Sequence, residues 1–596
     1  MDAPASASRA NTRRGNWRFP AFALAAGSLD ALLLIGWRQI DPTNLAWIGK
    51  DPAQYQAGWE FLRRQPWTFP PTWLAHLDYP FGISAAYLDV IPIVAVPLHL
   101  FAGVLPVNFQ YLGLWAVLCL ILQTYFALKL LSRFISDSLV LCLGALFFLN
   151  APILLNRLYG HFSLCSQWLI LAALYYYFRP VERSGIARYM APFAVLAILA
   201  GGITPYITVM VVLIALAAVL RSQLDATACS APGGKPTTDG WFRNLSESRI
   251  LWIALPAAAA LLAFLVFGFV GMDSGPSMEA PGYGTFSLNL LSPFSPLHGS
   301  LLFKSIQLIP AQANEGYAYL GLGTMVLGIV SLAIRPSLLK KFATPSLRPL
   351  VFLSVVLTLL ALSIRITLGP RTVAVVPVPV SIFHLLAIFR ASARFFWPVY
   401  YLLMLAVLIG AALVIRNRGM KTALIAGCLL LQYADTAGLA DDLARETRKV
   451  VFDPLVSADW AVLARANAHL VLVPAFQCDR AWTPGGDPDW HWFAWLAARS
   501  DMSLNSVYAA RTSQQSDRFN CIILPQRLAH GIVMPGTVYV LGNGLARLAA
   551  ASNPALHCGR IDGFDVCALN VAGSSAAVVR DRVVTNPGVF KDTKTR

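Results

Sequence analysis

Eleven stretches of this chain read as membrane-spanning helices, and no other feature limits its fold so strongly. A hydrocarbon core of about 30 Å is crossed by about 20 mostly apolar helical residues. The stretches cover 21–39, 109–131, 139–155, 162–178, 191–201, 204–220, 250–270, 316–334, 350–364, 396–415 and 422–432. The break Gly201-Gly202-Ile203-Thr204-Pro205 reads as a tight turn between two helices. Arg9, Arg13, Arg14 and Arg18 precede the first stretch, as basic residues precede a signal peptide. That stretch carries Asp30 and lacks a small-x-small cleavage site, so it is expected to be a retained span. Composition agrees. Of 596 residues 57% are hydrophobic and only 13% charged, about half the charge of a soluble chain. An ordinary soluble enzyme, a disordered scaffold and a coiled coil are excluded. The expected fold is a polytopic α-helical membrane protein of about eleven spans.

The 46 Lys and Arg against 30 Asp and Glu give a net charge of +16. No basic stripe or RNA-binding signature accompanies it, so nucleic acid is not expected as a partner. Lys and Arg also accumulate in the cytoplasmic loops of membrane proteins. The ambiguous segment 90–105, with Pro92 and Pro97 inside it and Pro106 beside it, settles the orientation. If it lies flat, the inside loops hold Lys129 and Arg133; Arg179, Arg183 and Arg188; Arg221, Lys235, Arg243 and Arg249; Arg335, Lys340, Lys341 and Arg348; and Arg416, Arg418 and Lys421. If it spans, all of these move outside. It is therefore read as interfacial or re-entrant. A cytoplasmic tail (1–20) then precedes a transmembrane domain (21–434) with a long outer loop (40–108). An extracytoplasmic soluble domain (435–573) and a polar tail (574–596) follow, in a bacterial inner membrane.

The soluble domain mixes a helix (457–467) with apolar strands (470–474 and 537–541), an α/β or α+β pattern. Cys119, Cys142, Cys165 and Cys428 fall in apolar spans, where a thiol packs as a small hydrophobe. Cys478, Cys521, Cys558 and Cys567 all fall in the soluble domain. An even set in an oxidising compartment reads as two disulfides. Of the three pairings, Cys478 with Cys521 and Cys558 with Cys567 is preferred; a zinc site lacks the CxxC spacing.

The outer regions hold most of the unusual polar residues. In the first loop Asp51, Gln54, Tyr55 and Gly58 fall on one face of a short helix. Asp51 before Pro52 is also what a helix start looks like. Asp89 is either a cap or a functional acid, and Asp78 fits a turn. His161 occupies an outer turn, and Tyr206 follows the Thr-Pro break. Glu315 and Tyr317 open a span from outside. Arg390 and Arg394, spaced i, i+4, share a helix face and suit either a phosphate clamp or interfacial snorkelling. Asp30 sits mid-span, where an acid is costly and often functional.

No P-loop, dinucleotide fingerprint, HExxH or GxSxG occurs, nor an internal repeat of the transporter kind. Several segments together resemble another family: DPAQYQAGW, DYPFG and LDVIP in the first outer loop, LYGH, EGYAYLGLG, FRASARFF, and SLNSVYAAR near the carboxy terminus. With these the chain resembles the GT-C superfamily of membrane glycosyltransferases, over nearly its full length. The resemblance implies transfer of a sugar from a polyprenyl-phosphate donor to a glycan, lipid or protein acceptor at the outer membrane face, with inversion. Asp51 then matches the general base for the acceptor hydroxyl, with Asp89 the second candidate. Arg390 and Arg394 hold the lipid phosphate, while Gln54, His161, Tyr206, Glu315 and Tyr317 contact substrate. Many GT-C enzymes carry two adjacent acids in this loop. Here Pro52 follows Asp51, so no obligatory metal is expected. A transporter of glycolipid or lipid-linked sugar, and a non-catalytic envelope assembly protein, are the alternative readings.

Overall fold

The computed structural model describes residues 18–180, 186–229, 249–270, 282–297, 299–337, 344–478, 490–542 and 544–569. Most of the cytoplasmic tail, much of the inside loop 221–249 and all of the polar tail 574–596 lie outside the described residues. The chain forms two compact units. One comprises Met1–Trp47, Asn108–Ala263 and Met278–Lys449; the other comprises Ile48–Val107, Phe264–Ser277 and Val450–Arg596. Residues 48–107 of the first outer loop thus belong with the carboxy-terminal unit, not with the transmembrane domain to which the sequence reading gave them.

Among the described residues of the first unit five helices are long and apolar enough to cross a membrane: Leu112–Leu131, Pro205–Leu224, Pro345–Leu362, Ser392–Val414 and Arg418–Arg448. A sixth arises if Ser138–Leu149 and Pro152–Tyr159, bent by 41°, count as one span. Five or six of the eleven expected spans are therefore found at full length among the described residues. The seventh forms the 18-residue helix Arg249–Val266, and several of the others are shortened by local chemistry. The first divides into Arg18–Leu34 and Gly36–Ile40, with Gly36 in the left-handed region that glycine tolerates. The fourth divides into Phe162–Cys165 and Trp168–Tyr177. The eighth begins only at Leu322. Segment 90–105 holds one helix of eight residues, Pro92–His99, too short to cross. Leu24, Leu29 and Leu33 on the first helix, and Phe352, Val355 and Leu359 on a later one, point outward. Lipid tolerates such a surface and water does not.

Small residues let these helices approach closely. A Cβ on Gly27 would lie 2.7 Å from the Ile121 Cα, and one on Gly323 would lie 2.1 Å from the Cys428 carbonyl oxygen. The second crossing explains the Leu-Gly-Leu-Gly sequence. It brings Gln432 and Asp435 of the Arg418–Arg448 helix against the first turn of Leu322–Ile334. The Asp435 carboxylate accepts from the Leu322 amide at 2.9 Å and the Tyr319 hydroxyl at 2.8 Å, and also from Ser300. Gln432 accepts from the Thr324 amide at 3.1 Å. One helix therefore caps the open amides at the start of another. The Arg418–Arg448 helix runs on well past residue 434, so the domain boundary drawn there falls inside it. Its charged end is supported by local Arg445–Asp442 and Lys449–Glu446 pairs.

The second unit is built on a five-stranded sheet in the order Ser503–Leu504, His469–Val473, Thr537–Leu541, Phe564–Leu569, Leu556–Ile561. The first three strands are parallel, and the last two form an antiparallel hairpin. Strand 537–541 is buried at every position, the pattern of a central parallel strand covered on both faces. Val471, Val473, Tyr539 and Leu541 pack with Leu524, Leu528 and Ala549. Disulfides join Cys478 to Cys521 and Cys558 to Cys567. The loop helix Lys50–Leu62, buried from Pro52 onward, packs against Trp490–Arg499.

Candidate functional site

The polar centre of the first unit is Glu315, at the end of the short helix Pro310–Glu315. It does not open a span as expected; the next helix starts seven residues later. Arg394 reaches one carboxylate oxygen with two N–H groups, at 2.9 and 3.3 Å. Arg157 donates to the same oxygen at 3.2 Å. The His161 Nε2 lies 3.9 Å from the other oxygen. Tyr206 completes the cluster: the Arg394 guanidinium lies 4.6 Å from its ring centre, and its hydroxyl accepts from the Ala391 amide at 3.0 Å. The Arg157 side chain is only 3% exposed and that of Glu315 19%. Burial pushes the Glu315 carboxyl upward, but Arg394, Arg157 and His161 outweigh it and hold the group well below the usual carboxylate range. Two guanidiniums around one carboxylate give the cluster a positive surplus by count.

Four residues singled out in the sequence (His161, Tyr206, Glu315 and Arg394) thus meet in one place, from segments up to 233 positions apart (161 to 394). Arg390 does not join them. The chain breaks between the helix Val380–Ala387 and the 3-10 turn Ser392–Phe396, so Arg390 and Arg394 share no helix face. Arg157 pairs with Glu315 instead. Sequence reasoning passed over it, although an arginine within NAPILLNRLYGHF was the available signal.

A cavity of about 620 Å³ adjoins this cluster. Asn156 and Asn314, the chain neighbours of Arg157 and Glu315, line it. So does Tyr317, which is buried, and Tyr159, whose hydroxyl donates to the Leu439 carbonyl at 2.9 Å. The opposite wall is the carboxy-terminal end of the Arg418–Arg448 helix, which presents Asp442, Arg445 and Glu446.

The second unit holds Asp51, Glu60, Asp78 and Asp89 of the first outer loop. The helix Lys50–Leu62 has Gly49 as its N-cap, so Asp51 lies in the first turn and not at the cap. The helix dipole still favours it there. Its carboxylate accepts from the Tyr508 hydroxyl at 2.8 Å. Gln54 is buried and donates to the Tyr87 carbonyl at 3.2 Å, which makes it a structural partner of the loop. Asp89 ends the short turn Ala85–Leu88 in a left-handed conformation. Asp78 is almost wholly buried. One oxygen accepts from Gln477 at 3.3 Å and from Ser516; the other has no partner among the described residues. Burial pushes its carboxyl up to about 8, against the Ser516 bond and with help from the Asp517 charge. Glu60, which the sequence did not single out, is fully buried between Gln56, Arg64 and Arg499. Among the described residues no three His, Cys, Asp or Glu side chains come together as a metal site would require.

The model of a family described as a domain of unknown function (DUF6311) matches residues 24–437, and that of the DUF6311 C-terminal domain matches residues 459–569. No curated protein matches the chain. Two structures of the Archaeoglobus fulgidus oligosaccharyltransferase are similar at 11% identity. The apo form gives a TM-score of 0.40 over 82% of this chain and 64% of that one. The form tethered through a disulfide to an acceptor peptide containing the NVT sequon gives 0.42, over 94% and 74%. This chain thus spans less than two thirds of the length of the apo structure's chain.

Proposed function

The chain belongs to the DUF6311 family, and we propose that it is a membrane glycosyltransferase that moves a sugar from a polyprenyl-phosphate carrier to an acceptor hydroxyl. The Glu315 cluster carries the reading. Two arginines, one of them buried, are held by a carboxylate and a tyrosine ring beside a cavity. Such an arrangement keeps guanidinium donors fixed and ready for a phosphate, which they bind by short charge-assisted bonds. In the reaction Asp51 takes the proton of the acceptor hydroxyl. The new bond forms at the anomeric carbon as its bond to the lipid phosphate breaks, so configuration inverts. The phosphate leaves with the bonding pair, and Arg157 and Arg394 meet the charge it gains. Asp89 is the second candidate for that base, and no metal ion enters these steps.

The protein then sits in a bacterial inner membrane with its amino terminus inside and its carboxy-terminal unit outside. Alkaline phosphatase fused after Lys449 should be active in cells; an inactive fusion overturns this orientation. For the chemistry, Asp51→Asn keeps a hydrogen-bond acceptor for Tyr508 but removes the base. Loss of a general base lowers rates by about 10²–10⁴, and donor binding should persist. Full transfer activity in Asp51→Asn refutes the role of Asp51. Absence of transfer from every polyprenyl-phosphate sugar, with lipid translocation seen instead, refutes the transferase reading.

A further inference from the structure

The cavity beside the Glu315 cluster has a chemistry of its own. Its volume of about 620 Å³ falls in the range of about 300–1,000 Å³ typical of small-molecule sites. Its charged residues come from one helix face, and they neutralise each other there. Arg445 pairs with Asp442 and, at 3.4 Å, with Asp441; Lys449 pairs with Glu446. Two cations face two carboxylates along the lining, so the wall carries dipoles without net charge. Across from it stand Asn156 and Asn314, whose carboxamides make no hydrogen bond to another described residue. Each amide offers a donor and an acceptor side by side, the pattern that neighbouring hydroxyls complement. Tyr159 is pinned by its hydroxyl to the Leu439 carbonyl, and Tyr317 is packed beside it. Together they supply rigid ring surface, apolar on the face and polar at the tip.

We propose that this cavity binds an uncharged saccharide, the glycan end of the acceptor. The inference rests on the transferase reading for the word acceptor, and on the cavity alone for the word saccharide. A phosphate-bearing donor belongs with the surplus positive charge of the Glu315 cluster. A ligand rich in hydroxyls and without charge belongs with a neutral wall of carboxamides, phenols and paired ions.

The test is equilibrium binding to the purified full-length protein in detergent, with no donor present. The probes are the neutral disaccharides mannobiose, galactobiose and cellobiose, together with a glucuronate-containing disaccharide and inorganic phosphate. Saturation-transfer difference spectra and calorimetry give the affinities. At least one neutral disaccharide should bind, and Asn156→Ala and Asn314→Ala should each weaken it tenfold or more. Neither substitution removes a hydrogen bond within the described chain, and unchanged thermal unfolding midpoints confirm that both variants are folded. The proposal falls if no neutral disaccharide binds, if both variants bind as the parent does, or if only the uronate or phosphate binds. Saccharide binding without sugar transfer sinks the transferase reading and leaves this site standing. Transfer without neutral saccharide binding does the reverse.

Discussion

Asp78 yields a substitution that should stabilise the protein. Its carboxyl is buried, and its pKa rises from an ordinary 3.8 to about 8 in the folded chain. At neutral pH the folded state must therefore keep a proton that the unfolded chain gives up. A group with a raised folded pKa contributes most below its unfolded pKa, and that contribution is lost as pH rises through the folded value. Each pH unit between about 4 and 8 costs about 1.4 kcal/mol. At pH 7 the accumulated loss reaches about 4 kcal/mol. Asp78→Asn replaces the neutral acid with a neutral amide of the same shape. The backbone there has φ of +59°, which Asn adopts readily. The amide oxygen keeps its bonds from Gln477 and Ser516. Its NH2 takes an oxygen position that has no partner among the described residues, where the proton of the neutral acid is likewise unpaired. The variant should match the parent near pH 4 and gain about 1.4 kcal/mol per pH unit above it. Hydrogen exchange of the Val471, Val473, Val538 and Val540 amides, corrected for intrinsic rates, reads the stability of this unit at each pH. A difference between variant and parent that stays flat from pH 5 to 7, or an Asp78→Asn protein less stable than the parent at pH 7, refutes the reasoning.

Glu315→Gln leaves Arg157 and Arg394 without their carboxylate. Breaking a buried pair costs about 3–5 kcal/mol, so the thermal midpoint in detergent should fall; an unchanged midpoint would show that the cluster is not held by charge. Because the folded pKa of Glu315 is depressed, its contribution is present above about pH 4.3 and lost as pH falls below that. Gly323→Ala places a methyl group 2.1 Å from the Cys428 carbonyl, which forces two helices apart. Such overpacking costs about 1–3 kcal/mol or more and should show as loss of detergent-stable protein on gel filtration. Replacing both Cys478 and Cys521 with Ser should destabilise by about 4 kcal/mol, and the Cys558–Cys567 pair by about 2.5, from the loop lengths of 43 and 9 residues; urea unfolding that ranks the pairs the other way would contradict the chain-entropy account.

Much of the local structure was legible. Strands expected at 470–474 and 537–541 are found at His469–Val473 and Thr537–Leu541, because short β-branched runs between turn signals have few other solutions. The longer apolar stretches became helices, the form that pairs their backbone groups within one segment. Their lengths were less legible, since a positive-φ glycine or a 3-10 turn can end a helix inside an apolar run. The roles of charged residues were the least legible. Nothing near Arg157 in the sequence announces Glu315, which lies 158 positions away. Nothing near Asp435 announces the helix start at Leu322 that it caps. Both roles exist only once distant segments meet. The Arg390–Arg394 spacing misled for the converse reason: an i, i+4 pair shares a face only where the helix is unbroken.

The Arg418–Arg448 helix also acts as a ruler. At 1.5 Å per residue its 31 residues extend about 46 Å, against a hydrocarbon thickness of about 30 Å. Its apolar part ends near Tyr433, and Asp435 anchors it to the neighbouring helix. The face from Leu439 to Lys449 then extends between roughly 6 and 21 Å beyond that anchor. The distance between the cavity's charged wall and the apolar part of the helix is thus written into the length of one continuous helix. Inserting one helical turn between Asp435 and Leu439 would move the charged wall of the cavity about 5 Å further from the apolar part of the helix.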